Sequence, residues 1–115
     1  MLDGVFHVTF QSSLATMGES IAVLDACGVH GANETHVFRG RKQGSGVGAV
    51  LTLEIRHVQG EKYPSFGPLA AINLDMEVTE ATEEGFRAKG AIREANGILL
   101  KVVAVKMCGL VEGER

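Results

Sequence analysis

The chain has 115 residues, 45% of them hydrophobic and 22% charged, which allows one core and excludes wholesale disorder. Lys and Arg number 11 against 14 Asp and Glu, so the net charge is −3 and no general basic field exists to hold nucleic acid. Glycine reaches 15 residues with only two Pro and no Trp, a balance that points to short strands and tight turns.

The dominant period is two. Gly4 to Gln11 alternates, with Phe6, Val8 and Phe10 on one side and Val5, His7 and Thr9 on the other, which predicts a half-buried strand. Ser12 to Thr16 reads as a small polar connection, and Glu19 to Ala26 as a second strand. A hairpin turn is expected at Cys27-Gly28, then a brief strand and a break near Asn33. Thr35 to Gly40 carries the β-branched and aromatic residues of a strand. Arg41-Lys42-Gln43-Gly44-Ser45-Gly46 is expected to be a basic, glycine-rich turn, and Val47 to Val58 a long strand. Gln59 to Pro68 holds both prolines and reads as the longest loop. Leu69 to Val78 alternates cleanly, and Thr79 to Gly85 is expected to be an acidic turn. Its stretch Thr79 to Glu84 is the best helical candidate in the chain, good for one turn at most. Phe86 to Arg93 is another strand. Asn96-Gly97 is a strong hairpin signal, and Ile98 to Met107 is the last strand. Residues 1–110 then form a single domain, with 111–115 as a charged, flexible tail.

Eight short elements joined by turn signals argue for an antiparallel barrel or sandwich. Closure is favoured because it removes the exposed edges of a glycine-rich sheet. An eight-stranded barrel encloses packed side chains or one small apolar ligand. The candidates for that inner wall are Phe6, Val8, Phe10, Leu51, Leu53, Ile72, Leu74 and Phe86. The strands 47–58 and 98–107 are apolar on both faces along much of their length. In the last strand either Leu99, Val103, Val105 and Met107 or the alternate row Ile98, Leu100, Val102 and Ala104 must face outward. A second copy of the chain is the simplest cover, with the first row as the candidate contact. A loop or the first strand folding over it is the other possibility.

Catalytic chemistry is not evident. His7, His30, His36 and His57 lie on separate elements without metal-ligand spacing, so no metal site is expected. Gly44-Ser45-Gly46-Val47-Gly48 precedes a strand, so the helix N-terminus of a phosphate cradle is missing. Asp75 and Glu77 share a face and are expected to pair across a hairpin with the basic row Arg87, Lys89 and Arg93. Cys27 and Cys108 fit no CxxC spacing and read as reduced thiols. The sequence carries no stretch of membrane-spanning length and no secretory leader, so a cytoplasmic protein without catalytic residue or cofactor is expected.

Asp3-Gly4-Val5-Phe6, the segment Asp25-Ala26-Cys27-Gly28-Val29-His30-Gly31-Ala32-Asn33, and Val37-Phe38-Arg39-Gly40 together resemble the GrlR-type proteins, negative regulators of type III secretion gene expression. The resemblance extends over most of the chain in the order and length of strands. Its motifs are short, glycine-based and mark backbone geometry. It implies an eight-stranded lipocalin-like barrel with an apolar interior, paired as a homodimer. It also implies that the protein acts by binding a transcriptional activator and holding it away from DNA. One stretch departs from the pattern. The family's acidic recognition run is replaced by Arg41-Lys42-Gln43-Gly44-Ser45-Gly46, so that recognition site does not carry over. The expected function is therefore a regulatory barrel that sequesters a protein partner. A binder of a small hydrophobic ligand or lipid is the alternative, and an enzyme with a polar group at the barrel mouth is a distant third.

Overall fold

The computed structural model describes residues 2–13, 17–26, 28–61, 70–94 and 97–111. The strands are β1 (Gly4–Ser12), β2 (Met17–Leu24), β3 (Gly28–Ala32), β4 (His36–Gln43), β5 (Val50–His57), β6 (Ala71–Thr82), β7 (Gly85–Ile92) and β8 (Leu99–Cys108). Each pairs antiparallel with the next, and β8 pairs back onto β1 to close an eight-stranded barrel. No helix among the described residues is long and apolar enough to cross a membrane.

Alternation places one row of each strand inside. Phe6 and Val8 on β1, Ala22 and Leu24 on β2, Leu51 and Leu53 on β5, and Ile72, Leu74, Met76 and Val78 on β6 join one core cluster. Phe86 and Ala88 on β7 and Leu100, Val102 and Ala104 on β8 complete it. The rings of Phe6 and Phe86 meet edge to face, centroids 5.2 Å apart, an arrangement worth roughly 0.5–1.5 kcal/mol beyond burial. The inner row also contains glycines. A Cβ on Gly31 would collide with the Phe38 ring and approach the Ile21 carbonyl at 2.7 Å, so the missing side chain is the space the ring occupies.

Local polar groups set the turns. At the β2–β3 hairpin the Asp25 carboxylate accepts the Gly28 N–H at 2.8 Å. Between β3 and β4 the Asn33 side-chain Oδ1 accepts the N–H groups of Thr35 and His36, both at 2.9 Å, while its Nδ2 donates to the Glu19 backbone carbonyl. Leu2, just before β1, is fully buried and joins the same core cluster.

The second strand, read as Glu19 to Ala26, is Met17–Leu24, and most other ends shift by one or two residues, while three differences change the reading. The expected basic turn at Arg41 is strand as far as Gln43, with Lys42 pointing inward. Its ammonium lies 3.4 Å from the Asp3 carboxylate and donates to the Gly44 carbonyl, so a charged residue shares the inward row with His36 and Phe38. The strand expected from Val47 begins at Val50, after a turn in which Gly44 and Gly48 adopt φ of 98° and 90°. The acidic turn shrinks to Glu83-Glu84 because β6 continues to Thr82, and Thr79 to Glu84 is not helical. A register shift between Val78 and Glu80 breaks the alternation there. Cys27, Asn96, most of the Gln59–Pro68 loop and residues 112–115 of the tail lie outside the described residues.

Candidate functional site

The inner wall bounds a cavity of ≈ 60 Å³. Of the residues expected there, Val8, Phe10, Leu53, Leu74 and Phe86 line it. Phe6, Leu51 and Ile72 instead pack in the core cluster beside it. A benzene ring occupies a cavity of about 150 Å³ and typical ligand pockets start near 300 Å³, so the packed side chains leave no room for a lipid tail.

Three polar residues border this largely apolar cavity, which the sequence did not reveal. Ser20, Asn33 and His36 contribute to the lining. Ser20 is 5% exposed, and its hydroxyl has no hydrogen-bond partner among the described residues. His36 is 1% exposed, and its Nδ1 lies 2.6 Å from the Thr35 hydroxyl, which also lies 3.2 Å from the Asn33 side-chain Oδ1. Thr35 has a single hydroxyl proton. Both bonds form together when Nδ1 carries the imidazole proton and donates to Thr35, leaving Nε2 as an acceptor. The β4–β5 register sets His36 opposite His57, ring centroids 5.2 Å apart. Burial, reinforced by the neighbouring His57, holds the His36 pKa below its ordinary 6.5. No group of three His, Cys, Asp or Glu side chains among the described residues could hold a metal ion.

The outer surface carries the second feature. On β8 the row Leu100, Val102 and Ala104 is buried, so Leu99, Val103, Val105 and Met107 face outward, with the exposed Lys101 between Leu99 and Val103. Leu99, Val105 and Met107 are 56%, 53% and 60% exposed. Register extends this apolar surface sideways. Val105 lies opposite His7, and His7 opposite Ile21, while Val5 lies opposite Val23. Ile21 and Val23 are exposed as well. A band of aliphatic side chains therefore crosses β8, β1 and β2, with His7 in it bonded to Glu19 at 3.0 Å. Elsewhere several surface charges are paired. Arg93 makes two 2.6 Å bonds to Asp75, the pairing expected from the sequence, while Arg87 pairs with Glu80 at 3.1 Å.

The chain matches no protein-family model and no curated protein.

Proposed function

We propose that this protein is a non-enzymatic binding barrel that pairs with a second copy of itself and sequesters a protein partner, in the manner the GrlR-like resemblance implies for a transcriptional activator. The observation that carries the reading is the aliphatic band on the outside of β8, β1 and β2. Large exposed apolar patches on soluble domains are characteristic of interfaces, and a two-fold pairing needs only one self-complementary surface. The nearly filled interior favours surface recognition over lipid carriage. Cys108, an exposed free thiol, suits the reducing cytoplasm.

Sedimentation velocity and affinity capture test the proposal. The wild-type chain should sediment as a dimer and Val105→Lys as a folded monomer, because the substitution buries an unpaired ammonium in the contact. A wild-type monomer at tens of micromolar, or a Val105→Lys dimer, overturns the pairing. Capture from the native lysate should return a specific protein. Its absence, with a retained small molecule of a few hundred daltons in native mass spectrometry, would favour the second reading, a small-ligand binder.

A further inference from the structure

Outward on β4, successive same-face positions carry Val37, Arg39 and Arg41, all exposed. Across the sheet, Arg39 lies between His30 on β3 and Glu54 on β5, while Arg41 lies between Gly28 and Thr52. Glu54 is shared: its carboxylate is 3.6 Å from Arg39 and 3.2 Å from Arg56. Arg41 has no ion-pair partner among the described residues. This face thus sets three guanidiniums against the Glu54 carboxylate, with the Asp25 carboxylate beside Gly28 at its end, on a chain whose net charge is −3. Between them His30, Val37, Arg39, Glu54 and Arg56 border a shallow depression of ≈ 390 Å³. In a ring of eight strands β4 stands opposite β8, so a dimer formed through β8, β1 and β2 leaves this face uncovered on both copies.

We infer that the outer face of β3, β4 and β5 docks an extended acidic segment of a partner protein. The inference rests on the protein-binding reading above and supplies the chemistry of the partner. Every strand of the barrel already has two neighbours, so no edge is available for strand addition and recognition must run through side chains. Same-face side chains on a strand repeat about every 6.6 Å. A peptide lying extended along β4 presents its own alternate side chains at that spacing. Its complement to Val37, Arg39 and Arg41 is an apolar residue, then a carboxylate, then a second carboxylate, each two positions apart. Arg41 takes one carboxylate without giving up an existing pair. Arg39 takes the other by exchanging its long contact with Glu54, which keeps Arg56. Val37 and its cross-strand neighbour Ala32 supply the apolar seat.

The test uses the full chain, ¹⁵N-labelled, and an acetylated, amidated probe peptide Val-Thr-Glu-Thr-Glu. Amide shifts on titration should concentrate on β3, β4 and β5, and affinity should fall severalfold as salt rises from about 50 to about 300 mM. The double variant Arg39→Glu, Arg41→Glu should weaken binding roughly tenfold while remaining dimeric and folded. Arg87→Glu, on the far strand β7, should leave it unchanged. Equal binding of a Val-Thr-Gln-Thr-Gln peptide, shifts confined to β8 and β1, or indifference to the double variant overturns the inference. So does binding to phosphatidylserine vesicles with no response to the peptide, which would mark a membrane surface. If a protein captured from the lysate is retained equally by the double variant, the proposed function stands and this assignment of the docking face falls.

Discussion

Replacing Ser20 by alanine should make the protein more stable. The hydroxyl is buried, lines an otherwise largely aliphatic cavity and has no hydrogen-bond partner among the described residues. Leaving such a group unpaired costs about 1–3 kcal/mol relative to water. Alanine removes that cost and enlarges the cavity by only one small atom, so a net gain of about 1 kcal/mol is expected. For a domain of this size that raises Tm by roughly 4 °C. Valine goes further. It places two methyl groups where the hydroxyl was, each worth about 0.8 kcal/mol on burial, into a cavity of ≈ 60 Å³, and it suits a strand. A total gain of about 2.5 kcal/mol follows if the ring of Phe10 and the neighbouring leucines keep their rotamers. Differential scanning calorimetry and urea titration at neutral pH measure both variants. A loss of 1 kcal/mol or more in Ser20→Ala would refute the reasoning, because it would mean that the hydroxyl is satisfied in solution.

Gly31→Ala should destabilise the fold by about 1–3 kcal/mol, since its Cβ enters the volume of the Phe38 ring. Adding Phe38→Leu should recover part of the loss, read as a coupling energy from urea midpoints. His36 should make stability fall below about pH 6.5. With its folded-state pKa depressed, the unfolded chain takes up the proton first, so its share of stability is intact above 6.5 and is lost as pH drops toward the folded value. His36→Gln should flatten that slope between pH 7.5 and 5.5, and an unchanged slope would assign the effect elsewhere. Asp75 is held below its ordinary 3.8 by the hydrogen bonds from Arg93, and Glu94 below its ordinary 4.5 by those from the Asn73 backbone and side-chain amides. Their contribution is present above those values and lost as pH falls, so the pair Asp75→Asn, Glu94→Gln should shorten the acid-unfolding limb seen by circular dichroism.

The alternation of Phe6, Val8 and Phe10 and of Ile72, Leu74 and Met76 was enough to read strands and their buried faces from the sequence. It could not choose the inner row of β8, because both rows are aliphatic. Closure onto β1 decides that, by aligning Val102 with the inward Phe10 and Ala104 with Val8. The bulge after Val78 and the inward Lys42 were missed because each breaks the pattern used to find strands. The polar residues at the cavity wall escape the sequence for a different reason. His36 and His57 are 21 positions apart, and Ser20 belongs to another hairpin. Only the registers of β2 to β5 bring these side chains toward one another, and register across several strands leaves no mark in a local window.

The ring arrangement also governs when the protein can fold. Strand β1 needs β8 along the run from Val5–Cys108 to Ser12–Leu100, so the first strand of the barrel waits for the last. Until then the nascent chain displays two bare sheet borders and a half-formed aliphatic trough, the kind of intermediate that chaperones hold and that crowds into inclusion bodies. Slow translation or lower growth temperature should therefore improve recovery more than any adjustment of the finished molecule's surface, and a chain cut before Leu99 should accumulate as aggregate.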